Sequence, residues 1–300
     1  GYVVLTIDGV GTAAAEAAAM YEYVDLWSRR TTWGGAGYTI PGLETSGDSI
    51  WIQTGQRIML DCDIDVYMLI VQGVLEFDRV DLAVDANYIF VMGGSFIVGT
   101  EQDPFLQRAL ITLHGSPVSQ EIPVYGAKTL ACRFCTLDLH GKPVLGGRTH
   151  VKLAATARAG STQISLLEPV DWDADVQIAI TSTHANGTME EAETAAIVAV
   201  TNDGYGLTLA SPLLFDHLGE TKKLAGGHSV EFRADVAILT RNVVVQGEPM
   251  SQLDKHGAHI MLHSRSHDSI IDRSQGESLT ARIENIEVRY SGQMGRIGRY

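Results

Sequence analysis

Four histidines, His256, His259, His263 and His267, stand within twelve residues in HGAHIMLHSRSH. Imidazole binds metals and moves protons near neutral pH, so the first question is whether these rings share a face. A helix would align the four-residue spacings, but HIMLHS reads as a strand that turns part of the set away, and no H-E-x-x-H is present. Surface or loop histidines, without a metal, are the expectation. Asp61, Asp63 and Asp65 in DCDID open like a calcium-binding EF-hand loop. Val66 stands where that loop needs Gly and Gln72 where it needs Glu, so calcium would require partners from distant parts of the chain, and solvated carboxylates at a strand edge are the expectation. Glu101 and Asp103 in GTEQDPF could form the carboxylate pair of a glycosidase. Asp103 also precedes Pro104, and a turn is the preferred reading. No catalytic residue and no cofactor is assigned.

The three cysteines are Cys62, Cys132 and Cys135. CRFC is too little for a zinc site, and LACRFCTLDLHG reads as a strand with its two cysteines on opposite faces. Cys62 is expected to bond to Cys132 or Cys135 in an oxidising compartment. Asn186, in NGT on a polar loop, is a glycosylation candidate. A net charge of -14 argues against nucleic acid and anionic membranes as partners, and mildly against tight capture of an acidic polysaccharide. No apolar run is long enough for a membrane helix, and no leader peptide is visible. G-x-S-x-G, P-loop and dinucleotide fingerprints are lacking, which leaves acyl transfer and nucleotide chemistry without residues.

The elements that would carry these groups repeat. MLIVQGVLEF at 68–77 returns as YIFVMGGSFIV at 88–98, and Gly73, Gly94 and Gly115 are spaced 21 residues apart. This interval puts Leu69, Phe90 and Ile111 in one column and Val71, Met92 and Leu113 in another on the same face, with Leu75 over Phe96 and Phe77 over Val98 beyond the glycine. Short β-branched and aromatic runs at a period near 20 predict an all-β fold built on a parallel β-helix, a solenoid with glycines at its corners. An ordinary sandwich with two similar hairpins is the alternative.

Residues 1–26 are expected to end a preceding domain, and 27–155 to form the first coils. Residues 156–235 alternate apolar positions around NDG and GYG turns and predict packed hairpins. The solenoid is expected to resume over 236–300, where Asn242 and Asn285, 43 residues or about two coils apart, would mark corners. RYSGQMGRIGRY stops in mid-pattern, so a longer β-helix is expected to follow it.

The strings TTWGG, IPG, GDSIWIQTGQRIMLD, LIVQGVLEFD, ITLHG, IPVYGAKTLACRFCTLDLHG and ILTRNVVVQGE together resemble the eight-glycine domain family over roughly 27–300. The family's glycines would fall at Gly55, Gly73, Gly94, Gly99, Gly115, Gly126 and Gly141. RTHVKL and Ala174-Asp175 depart from the family's usual text. The resemblance implies a right-handed β-helix and two branches. One contains fibrocystin-like surface receptors with immunoglobulin-like repeats; the other contains hyaluronan-binding and hyaluronan-depolymerising proteins. The opening GYVVLTIDGVGTA looks like the end of an immunoglobulin-like repeat, the order of the first branch. That branch implies an extracellular, cell-surface or ciliary segment acting as a stiff spacer and contact surface, in a chain anchored by a membrane helix elsewhere. Its partners would be other surface proteins, glycans or further copies in an assembly. The alternative implied is a glycan-binding or hyaluronan-depolymerising enzyme.

Overall fold

A computed structural model describes residues 6–7, 11–12, 23–184, 189–263 and 279–299. Among the described residues the fold is all-β, with two parallel sheets and three antiparallel ones. The first parallel sheet holds Asp48–Ile52, Ile64–Val71, Leu82–Met92, Ala109–Leu113, Thr129–Arg133, Val243–Gly247, His259–His263 and Ile286–Arg289. The second holds Asp25–Leu26, Arg57–Leu60, Val74–Phe77, Ser95–Val98, Thr136–His140 and Thr280–Glu284. Alternate side chains of both sheets enter one core, with Leu69, Ile89 and Leu130 from the first and Leu75, Phe96 and Leu137 from the second all fully buried.

Registration on the glycines predicts one sheet correctly and misses the other by a residue. After the corner, Leu75 pairs with Phe96 as expected. Before it, Leu69 pairs with Ile89 and Val71 with Val91, while Phe90 and Met92 point outward. The second corner has one residue more: Met92, Gly93 and Gly94 join Val91 to Ser95, where Gln72 and Gly73 alone join Val71 to Val74. Because strand side chains alternate, one added residue exchanges the two faces.

Ile111 and Leu113 stack on Val84 and Ala86, farther along the same neighbour. The eleven-residue strand Leu82–Met92 carries two partners end to end, Ala109–Leu113 on its first half and Thr129–Arg133 on its second. The next layer repeats this arrangement with Val243–Gly247 and His259–His263. Segments 114–128 and 248–258 therefore leave the sheet at neighbouring points.

Corners admit no Cβ where layers touch. A Cβ on Gly94 would stand 2.4 Å from the Gly73 carbonyl oxygen, and one on Gly141 would stand 2.1 Å from that of Asn285. Asn242 and Asn285 precede the paired strands starting at Val243 and Ile286, so they lie one layer apart rather than two, the interval being lengthened by an excursion. Asn285 has φ 54, and the Asn242 amide donates to the Phe105 and Gln107 carbonyls at 2.7 and 2.6 Å.

The hairpin-rich stretch forms its own six-stranded antiparallel sheet, with a second core that includes Val151, Ile164, Trp172, Ile178, Ile197 and Val236. Its boundaries are wider than 156–235: His150–Lys152 pairs with Asp235–Ile238. At the other end, Asp25–Leu26 pairs with Arg57–Leu60 and so belongs to the second parallel sheet rather than to a preceding domain.

The expected bridge from Cys62 is corrected. Cys132 is bonded to Cys135, and Cys62 is free. The two are not on opposite faces of one strand, because Phe134 at φ 49 makes a corner between Thr129–Arg133 and Thr136–His140 and both sulfurs turn inward. Burial, then the carboxylates of Asp61 and Asp63, push the Cys62 thiol up to about 11.

Gly94→Ala must displace backbone and is expected to cost about 3 kcal/mol or more. Gly55→Ala, at φ +87 in open space, is expected to cost only about 1 kcal/mol. Urea unfolding of the two variants checks this, and equal costs would contradict the corner packing.

Candidate functional site

Outward side chains of the first sheet follow the same registers. Asp65, Asp85, Thr112, Gln246 and Arg289 are successive Cα partners across five strands. Gln246 Nε2 donates to Thr112 Oγ1 at 3.1 Å, and Arg289 Nε donates to Gln246 Oε1 at 2.6 Å. At the acidic end, His114 Nε2 lies 2.7 Å from Asp85 Oδ1, and Nδ1 lies 3.3 Å from Glu248 Oε2. The hydrogen bond to Asp85 raises the His114 pKa; burial opposes it and Glu248 adds to it. With both ring nitrogens engaged by carboxylates, His114 offers no free lone pair as a general base. Its ring joins two layers and a loop.

Glu248 extends the network inward to Lys128, whose side chain is fully buried. Lys128 Nζ lies 3.1 Å from the Gly115 carbonyl, 3.1 Å from Glu248 Oε1, 2.8 Å from Ser251 Oγ and 3.0 Å from the His256 carbonyl. Its three protons thus serve both excursions, 114–128 and 248–258. The Gly115 N–H also donates to Glu248 Oε1, at 3.0 Å. Burial opposes ionisation of Glu248, but these donors prevail and hold its carboxyl below the usual range. A buried ammonium is tolerated only when it is paired and fully hydrogen-bonded, a condition met here.

Two of the four clustered histidines border this clasp. His256 and His259 are buried rather than on the surface, which corrects the expectation from sequence. His259 Nε2–H donates to the Tyr125 carbonyl at 2.8 Å, and Gln293 Nε2, which donates to the Ala127 and Gly257 carbonyls at 3.0 and 3.1 Å, lies 3.2 Å from His259 Nδ1. Burial, first, lowers the pKa of both. His263 Nδ1 meets the Tyr125 hydroxyl at 2.8 Å, and His267 lies outside the described residues.

The other candidates do not converge on this place. Asp61 accepts the Ser28 N–H and hydroxyl, at 2.9 and 2.6 Å, and Asp63 accepts the Ala83 N–H at 2.7 Å. Asp103 belongs to a turn closed by Thr100 N–H to its carbonyl at 2.9 Å, and its carboxylate pairs with Arg79. Asn186 lies outside the described residues. Among the described residues, no three His, Cys, Asp or Glu side chains are gathered to hold a metal. Sequence reasoning missed Asp85, His114, Lys128 and Glu248, which share no local motif. The one available signal was a lysine opening an apolar run, KTLAC.

A raised histidine pKa stabilises the fold fully below the unfolded value of about 6.5, and this contribution is lost as pH rises through the folded value. Urea unfolding of His114→Gln against the parent is therefore expected to show its largest deficit near pH 6, shrinking toward pH 9. A deficit that grows with pH would contradict the network.

Residues 32–154 match the G8 domain. The chain is 37% identical to human Fibrocystin-L over 333 aligned positions, 99% of this chain and 8% of that protein. It is 31% identical to dog Fibrocystin over 252 positions, 82% of this chain and 6% of that protein. Protein rliB of Dictyostelium discoideum is 26% identical over 247 positions, 79% of this chain and 20% of rliB. The chain thus spans less than a tenth of the length of the fibrocystin relatives it matches.

Proposed function

The chain belongs to the fibrocystin-like family of G8-domain proteins, and on that premise we propose that it is an extracellular structural and adhesion segment of a large cell-surface or ciliary protein. On this reading its parallel strands wind as a right-handed β-helix, a stiff spacer whose outer faces meet other surface proteins or glycans. The observation that carries it is the single core shared by both parallel sheets, to which each layer adds strands in register. Such a stack resists bending because every layer is fixed to the next by backbone hydrogen bonds. No described helix is long and apolar enough to cross a membrane, and the proposal assigns anchoring to another part of a longer protein.

One observation favours a second reading, glycan binding or hyaluronan depolymerisation. Asp65 and Asp85 are Cα partners on neighbouring strands and both face outward, about 4.8 Å apart along the sheet. Against catalysis, Asp85 is engaged by His114.

Size analysis of hyaluronan and related glycans after incubation with the protein, with and without calcium, separates the two. The spacer reading expects intact polymer. Shortening that disappears in Asp85→Asn, or in variants of Glu101 or Asp103, would replace it with the enzymatic one.

A further inference from the structure

Where the first parallel sheet meets the antiparallel unit lies a groove of about 420 Å³, lined by the apolar side chains of Val144, Val176 and Ile238 and by Arg108 and Arg241. Ala109 and Val243 are Cα partners on adjacent parallel strands, so Arg108 and Arg241 stand just ahead of neighbouring strands. The Ala109 N–H bonds to the Asn242 carbonyl at 2.9 Å and fixes that approach.

The groove's own acids are largely committed elsewhere. Asp171 accepts the Leu145 N–H at 2.7 Å, and Asp173 holds Lys142 at 2.7 Å. Glu287 accepts the Arg241 backbone N–H at 3.2 Å and faces Arg289 at 3.6 Å. Asp175 also lines the groove and forms no ion pair with either arginine among the described residues. The side chains of Arg108 and Arg241 have no hydrogen bond or ion pair among the described residues, and Arg241 is partly buried. Desolvation pulls its guanidinium below the ordinary value, with no carboxylate to offset it. A guanidinium cannot shed its proton near neutral pH, so both groups keep their charge, Arg108 exposed and Arg241 partly buried.

We propose that this groove is a binding site for a small organic oxyanion, a carboxylate or phosphomonoester held between the Arg108 and Arg241 guanidinium groups with its apolar body against Val144, Val176 and Ile238. Guanidinium groups match both oxyanions through paired N–H···O bonds. The volume falls in the usual range for small-molecule sites. A long polyanion would meet the chain's net charge of -14 beyond the groove, whereas a single oxyanion feels chiefly the local pair. The site is independent of the spacer reading and stands or falls separately.

Calorimetric titration at constant ionic strength with inorganic phosphate, phenyl phosphate, acetate and benzoate, against chloride, tests it. The expected result is saturable one-to-one binding in the phosphate series, the carboxylate series or both, tighter for the member with the ring. The series that binds identifies the source. Arg241→Gln and Arg108→Gln should each weaken binding at least tenfold. Unliganded Arg241→Gln should melt at or above the parent temperature, because it removes an uncompensated charge; a structural arginine would do the reverse. Arg108, being exposed, supplies a variant that leaves folding intact. Absence of saturable binding beyond chloride, or equal binding by the double variant, would overturn the proposal.

Discussion

One repeated contact sets the register on which the parallel core depends: a corner carbonyl accepts the N–H of the residue that opens the neighbouring layer's strand. Val74 donates to Gln56, Ser95 to Gly73, Thr136 to Gly94 and Thr280 to Cys135, at 2.8 to 3.0 Å. The chain lengths between these layers differ widely, yet the contact is kept. Gly73 and Gly94 belong to it because a Cβ would enter the space taken by the carbonyl below. A one-residue slip there would turn Leu75 and Phe96 out of the core and bring polar neighbours in.

A core fixed at corners tolerates long excursions elsewhere, since closing a longer loop costs little more than closing a short one. The antiparallel unit lies between Thr136–His140 and Val243–Gly247, with its own apolar core. The shorter excursions, 114–128 and 248–258, form no core of their own among the described residues and are joined to each other by a charged clasp. Lys128 supplies the buried cation, Glu248 the anion, and His114 carries the network to Asp85 on the sheet. The chain's chemically distinctive groups accordingly lie where strands depart from the parallel sheets.

Sequence showed the architecture more readily than the site, for physical reasons. Alternation reports on faces and the Gly73–Gly94 interval on one pair of corners, so Leu75 over Phe96 follows from sequence; the interval to Gly115 does not mark a layer, because Ile111 pairs with Val84 and the next corner is at Phe134. The error at Phe90 came from a corner longer by one residue, which no propensity reveals. Cys132 and Cys135 were misplaced because a left-handed Phe134 is unexpected inside an apolar run. His114 and Glu248 are 134 residues apart, and nothing local to either announces the other. Buried networks between distant loops leave only indirect marks, such as a lysine at the head of a strand.

The most direct test of the corner contact is native-state hydrogen exchange resolved to single amides. The amides of Val74, Ser95 and Thr136 should exchange only with global unfolding, on the scale of the core amides of Leu75 and Phe96, while those of the hairpin Gly219–Lys223 and Ser229–Arg233 exchange through local opening. Corner amides that exchange as fast as that hairpin's would show that register is set elsewhere and would contradict the account.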